Sequence, residues 1–197
     1  MLDGIRPFTN IPHIRARDFS KQRPDEALTA VAGLASQTVL VVGGDEFTHE
    51  ADIEERYNSL SFMQLLSEEM PDLTLYGAID PYRQSFMEEV AYANAKREAG
   101  AVGFFTQPFF DLRLMEIYAD LLDGCEMFWG VAPVLTDKSY RYWVKRNKAV
   151  FPNDFDGTLA WNRAFAQQAL DFAREREHHI YFMPIRADVV SYLKGIL

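Results

Sequence analysis

The chain has 197 residues, 48% hydrophobic and 25% charged, a composition that excludes a disordered or fibrous chain and suits one well-filled core. Twenty Lys and Arg face 29 Asp and Glu, and a formal net charge of −9 speaks against broad binding to nucleic-acid backbones. The lone cysteine, Cys125, allows no intramolecular disulfide and no zinc cluster; with no signal-peptide core at 1–7 and no apolar run near the ~18 residues of a membrane span, a cytoplasmic protein without membrane contact is expected.

No repeat, low-complexity tract or Ser/Gly linker divides the sequence, so residues 1–197 read as a single domain. The first strand is predicted over 9–15, ending near His13. A helix follows over about 25–35, entered at Pro24, with Leu28, Val31, Ala32 and Leu34 at helical spacing. Thr38-Val39-Leu40-Val41-Val42 has the continuous apolar character of a strand covered on both faces, and it runs into Gly43-Gly44-Asp45. A helix over 53–70, weakest at Asn58-Ser59, leads to a strand over 73–79. The helix predicted over 84–99 stops at Gly100. A strand over 101–106 follows, then a helix over 112–122 with Asp111 as its N-cap. A strand over 127–131, helices over 136–148 and 158–177, a strand over 179–183 and a helix over about 187–195 complete the chain.

Such alternation implies a parallel sheet. Polar residues gather just after the strand ends: His13, Asp45, Asp80, Gln107 and Arg186. In barrels and open parallel sheets those C-terminal strand ends carry the active site. About six strand–helix units in 197 residues fall short of the eight strands and ~250 residues of a closed (β/α)8 barrel.

Two segments stand out. Gly43-Gly44-Asp45-Glu46-Phe47 spells the signature of the diguanylate cyclases, but the strand-forming context that motif needs is absent: Thr48-His49-Glu50-Ala51-Asp52 follows it. A Gly-Gly-Asp that ends a parallel strand has another use. The glycines let a ligand approach the backbone, and Asp45 accepts hydrogen bonds there. The second segment is Thr106-Gln107-Pro108-Phe109-Phe110-Asp111. One reading delivers the Gln107 amide to an aromatic-walled pocket, where its donors and acceptor suit an amide-bearing heterocycle. The other puts Phe109 and Phe110 in the core and leaves Gln107 to cap the next turn.

This second segment resembles the Thr-Gln-x-Phe-Phe-Asp motif of the methylenetetrahydrofolate reductase family, FAD-dependent (β/α)8 barrels. The resemblance extends in register along nearly the whole chain. Pro12-His13 is similar to the Pro-His that ends that family's third strand, and Gly44-Asp45 to the Gly-Asp of the fourth. Tyr76 and Asp80-Pro81 fall where the family has a Tyr and a His-Pro. Lys96 lies eleven residues before Gln107, as the flavin-contacting Lys does. Gly130-Val131-Ala132-Pro133-Val134 resembles the seventh strand's Gly-Ile-x-Pro-Val. Tyr181-Phe182-Met183-Pro184-Ile185-Arg186 resembles the closing Phe-Tyr-x-x-Asn-Arg.

The resemblance implies a TIM-barrel-type α/β fold, incomplete here, and an oxidoreductase of one-carbon metabolism and methionine biosynthesis. Hydride would pass from NAD(P)H through FAD to 5,10-methylenetetrahydrofolate. It implies that His13, Gly44, Asp45, Tyr76, Asp80 and Lys96 line FAD. Asp45 and Gln107 would be catalytic, Asp45 stabilising charge beside flavin and pterin, while Gln107, Phe109 and Arg186 bind the folate. The first two family strands, one of which carries the ring-opening Glu, have no counterpart in these residues. Gly43 stands where the family has Arg, Asp80 where it has His, and Ile185 where it has Asn. The expectation is therefore a homo-oligomer or a partner chain that completes the barrel. The alternative is a non-catalytic or partner-completed flavin- or folate-binding relative.

Other constellations read as structural. Adjacent His178 and His179 point to opposite faces of a strand, so no metal site is expected there. His49 among Glu46, Glu50 and Asp52 reads as a solvated acidic loop. Trp129, Tyr140, Tyr142, Trp143 and Trp161 suit core or interface, and Cys125 lacks a basic partner.

Overall fold

The computed structural model describes residues 10–44 and 55–197, which fall into two compact units, Met1–Ala78 with Ala95–Val102 and Ile79–Asn94 with Gly103–Leu197. Every paired ladder is parallel, with strands in sequence order.

The first unit is built on β1 (His13–Arg15), α1 (Pro24–Ala32), β2 (Thr38–Val42), α2 (Ser59–Glu69) and β3 (Thr74–Ile79). Val39, Leu40 and Val41 of β2 are all buried, as a strand with both faces covered must be. Pro24 opens α1, and Ala27 and Val31, one turn apart, are its buried stripe. The helix predicted over 53–70 is in fact α2, starting at Ser59, and the weak point at Asn58-Ser59 is its beginning. The Asn58 side chain accepts from Ser61 N at 2.8 Å and Ser61 Oγ accepts from Asn58 N at 3.2 Å, a reciprocal cap. The first strand also differs from expectation: His13 begins it rather than ending it. Pro12 has no N–H to give, so its carbonyl opens the ladder by accepting from Leu40 N at 2.9 Å.

The chain then passes through α3 (Phe86–Glu98). The second unit holds β4 (Ala101–Phe109), α4 (Leu112–Leu121), β5 (Glu126–Val131), α5 (Asp137–Arg146), α6 (Leu159–Glu175), β6 (His179–Phe182) and α7 (Val189–Leu193). Asp111, Thr136 and Thr158 cap α4, α5 and α6 with side-chain oxygens. Aromatic rings fill the core. Phe109 meets Tyr118 and Trp129 edge-on at 5.7 and 5.5 Å, and Phe110 stacks on Phe151 and meets Trp143 edge-on. Buried Asn162 of α6 clamps the loop after β5: it accepts from Val134 N at 2.7 Å and donates to Val134 O at 3.1 Å.

Among the described residues β1 pairs only with β2, and β6 only with β5. No helix among the described residues is long and apolar enough to cross a membrane.

Candidate functional site

In the first unit, register aligns two of the predicted residues. His13 lies opposite Leu40, and Leu40 opposite Tyr76, so all three share one row and one face of the sheet. Two ladder spacings put His13 and Tyr76 roughly 10 Å apart. Partial burial lowers the His13 pKa, which favours a neutral imidazole. Gly44 follows β2 with φ +91, a conformation that favours glycine, and a Cβ on the preceding Gly43 would meet nothing within 4 Å. Arg17 was not foreseen. Its backbone N donates to Gly43 O at 3.4 Å and its guanidinium to Gly44 O at 3.3 Å. Lys96 is only 1% exposed, and its ammonium donates to Ala78 O. Asp45 lies outside the described residues, as do Glu46, His49, Glu50 and Asp52.

In the second unit, a hydrogen-bonded frame surrounds Asp80, directly after β3. Asp80 Oδ1 accepts from Tyr82 N at 3.0 Å. Its own N–H donates to Glu89 Oε1 at 3.0 Å. Glu89 is fully buried on α3, and its other oxygen accepts from Arg83 at 2.7 Å and Gln84 at 2.8 Å. Three donors thus hold one buried carboxylate, the condition under which burial of a charge is tolerated. Tyr82, itself buried, donates its hydroxyl to Pro108 O at 3.0 Å. Burial pushes the Asp80 carboxyl above the ordinary carboxylate range. The Tyr82 N–H opposes that push, and Glu89 adds to it. The sequence singled out Asp80 alone; Tyr82 and Glu89 carried no local signal.

Gln107 sits next to that frame, beside Pro108. The β4–β5 register shifts between Phe105 and Pro108: Phe105 pairs with Phe128, but Pro108 pairs with Gly130, so β4 holds one extra residue there. Such bulges re-aim a side chain. Between buried Thr106 and buried Pro108, the Gln107 side chain is exposed. Three groups hold the bulge. Thr106 Oγ1 accepts from Gly130 N at 3.0 Å, the Tyr181 hydroxyl donates to Thr106 O, and Pro108 has no N–H to pair. A Cβ at Gly130 would stand 2.7 Å from the Tyr181 hydroxyl and 2.8 Å from Thr106 O, so only glycine fits. The strand runs three residues beyond its predicted end for the same reason: pairing resumes after the bulge. Phe109 is fully buried among Tyr82, Tyr118 and Trp129 and serves the core in this structure. Arg186 is exposed in the turn after β6, with φ +56.

The two adjacent histidines part company as strand geometry requires. His178 Nδ1 accepts from Trp129 Nε1 at 3.0 Å, while His179 pairs with Glu126 at 3.0 Å and stacks on Phe128. No cluster of metal-ligating side chains occurs among the described residues. A cavity of about 360 Å³, lined by Phe110, Asp111, Trp161 and Phe165 among others, touches none of the residues predicted for the site.

The residues nominated for FAD fit it only in part. His13 and Tyr76 share one row and one face of the sheet, and among the described residues nothing lies within 4 Å of a Cβ placed at Gly43. The phosphates do not fit the charged side chains nominated for them: the Lys96 ammonium is buried on a backbone carbonyl, and Asp80 brings a carboxyl.

The family model described as methylenetetrahydrofolate reductase matches residues 4–164. No curated protein matches significantly. Among solved structures, an uncharacterized protein from Clostridium thermocellum that binds two copies of 5-methyl-5,6,7,8-tetrahydrofolic acid aligns with TM-score 0.52 and 12% identity, over 94% of this chain and 91% of that one. A 2,3-dimethylmalate lyase of the PEP mutase/isocitrate lyase superfamily aligns with TM-score 0.48 and 12% identity, over 85% of this chain and 59% of that one. An oxaloacetate acetylhydrolase aligns with TM-score 0.48 and 13% identity, over 95% and 66%. The first likeness supports the TIM-barrel-type α/β fold, with six parallel strands among the described residues.

Proposed function

Because the chain belongs to the methylenetetrahydrofolate reductase family, we propose that it binds a reduced folate through its second unit, with the Gln107 amide on the pterin. The observation that carries this reading is the bulge in β4, which turns a side-chain amide outward from an otherwise buried strand end. A primary amide offers two donors and an acceptor, matching the donor and acceptor edge of a pterin. Arg186, exposed after β6, is the guanidinium that would meet a folate carboxylate. The 5-methyltetrahydrofolate bound by the Clostridium thermocellum protein supports the choice of ligand class.

Binding of 5-methyltetrahydrofolate, followed by titration calorimetry, tests the reading. Saturable binding is expected, weakened at least about tenfold in Gln107→Ala, as the loss of one hydrogen bond into a desolvated site predicts. No binding to the wild-type chain overturns it.

A second reading is favoured by the family match itself: the chain is an oxidoreductase of the methylenetetrahydrofolate reductase type that uses FAD and NAD(P)H on 5,10-methylenetetrahydrofolate. Its test is an absorbance spectrum after FAD loading and desalting. A retained flavin band, bleached anaerobically by NADH, supports it. No retained flavin at saturating FAD leaves folate binding alone. Among the described residues β1 pairs only with β2 and β6 only with β5, and these edges are where a second copy or a partner chain would pair.

A further inference from the structure

We propose that the cavity between the start of α4 and the first half of α6 is a binding site for a small methylated ammonium ion, of the trimethylammonium alcohol class. The inference stands apart from the folate reading, because the cavity touches neither Gln107 nor Arg186.

The walls come first. The cavity measures about 360 Å³, within the range of small-molecule sites, and aromatic rings from two elements line it. Trp161 and Phe165 stand four residues apart and so on one face of α6, with their rings nearly parallel and 5.6 Å apart. Ala164 lines the cavity beside them with only a methyl group. Phe110, directly after β4, supplies the third ring. It is fully buried, stacked on Phe151 at 4.4 Å and met edge-on by Trp143 at 5.1 Å. The α6 rings are held as well. Thr158 Oγ1 accepts from Trp161 N at 3.2 Å and caps the helix, and Phe155 meets the Trp161 indole edge-on at 4.8 Å. Rings fixed beforehand bind with little loss of side-chain freedom.

Charge gives the sign of the ligand. Asp111 and Asp154 line the cavity, and among the described residues no Lys, Arg or His does. Carboxylates beside aromatic faces attract a cation. The Arg113 guanidinium already offsets Asp111, so the net negative charge comes from Asp154, which is exposed in the loop before α6. Hydrogen bonding then narrows the kind of cation. Both Asp111 oxygens are engaged: Oδ1 accepts from Arg113 N at 2.9 Å and Nε at 3.2 Å, and Oδ2 from Nη2 at 2.8 Å. A primary ammonium brings three donors that lose water on entry and need acceptors. A trimethylammonium group brings none, and its methyl groups suit ring faces.

The experiment titrates the full chain with choline by calorimetry, and follows the choline methyl protons by NMR. Saturable binding is expected, with an upfield ring-current shift of those protons. The neutral carbon analogue 3,3-dimethylbutanol should bind at least about fivefold more weakly, as loss of a desolvated cation–π contact predicts. Ethanolamine, a primary ammonium of the same charge, should also bind more weakly than choline. Trp161→Leu keeps an apolar side chain but removes the ring, and should weaken choline binding at least about fivefold. Ala164→Phe keeps every ring and fills the cavity from an exposed position, so it should abolish both binding and the upfield shift. Urea unfolding curves verify that the variants fold; if Trp161→Leu does not, Ala164→Phe decides. The proposal is overturned if choline does not saturate the wild type, or if a folded Ala164→Phe binds it unchanged. It is equally overturned if dimethylbutanol or ethanolamine binds as tightly as choline.

Discussion

Asp80 and Asp111 are built alike and behave oppositely. Each follows the end of a strand, and each accepts the backbone N–H two residues on, from Tyr82 at 3.0 Å and from Arg113 at 2.9 Å. From there the surroundings diverge. Asp111 caps α4, and the Arg113 guanidinium grips it through both Nε and Nη2, so its carboxyl is held below the usual range. Asp80 has buried Glu89 at its back, and desolvation leads its carboxyl the other way. The shared turn is local chemistry; the charge state belongs to what packs around it. One aspartate serves a helix, and the other is drawn toward its neutral form by burial.

The contrast can be broken most sharply at Glu89. Glu89→Ala leaves the Asp80 N–H, Arg83 and Gln84 without their acceptor, and stability should fall by about 3 kcal/mol, as for other broken buried ion pairs. A urea unfolding curve checks this, and a loss no larger than that of a surface pair would mean that Glu89 does not organise the Asp80 frame. Next in size is Asp111→Ala, which removes the α4 cap and should lower stability by about 1 kcal/mol. Asp111→Asn should recover most of that, because the amide oxygen still accepts from Arg113 N.

Smaller still is the effect of pH on stability, and here the two carboxyls should pull in opposite directions. The folded pKa of Asp111 lies below its unfolded value. The stability it adds is present above the unfolded pKa and is lost as pH falls through the folded one. The folded pKa of Asp80 lies above its unfolded value, so its contribution is present below the unfolded pKa and is lost as pH rises through the folded one. Unfolding curves across the carboxylate range should therefore lose their acid-side slope in Asp111→Asn and their opposing slope in Asp80→Asn. If both substitutions flattened the same side, the contrast would be wrong. The smallest change is expected from Arg113→Ala, whose side chain is 77% exposed. It should move the Asp111 titration upward, seen by carboxyl-detected NMR, with little loss of stability.

Much of the fold was legible in the residues. The apolar run 38–42 is the buried strand it reads as, Gly100 with φ +100 ends the helix before it, and Asp111 caps α4. The His178-His179 pair splits across the strand as alternation requires. These outcomes depend on periodicity, turn chemistry and capping, which act within a few residues. The less legible features are those that join distant parts of the chain. The bulge that exposes Gln107 relies on the Tyr181 hydroxyl 75 residues from Thr106, and on a glycine at 130 that leaves room for it. Nothing in Phe-Met-Glu-Glu-Val at 86–90 says that Glu89 is the carboxylate that goes inside while Glu88 stays out.

The sequence by itself therefore determined the order of strands and helices, the family, and the strand ends where polar groups gather, because local backbone preferences and burial patterns set these. Only the tertiary structure decided which aspartate is pushed above the ordinary carboxylate range and that Gln107 is exposed. A pKa responds to desolvation and to charges brought close in space, and a bulge is fixed by partners on neighbouring strands.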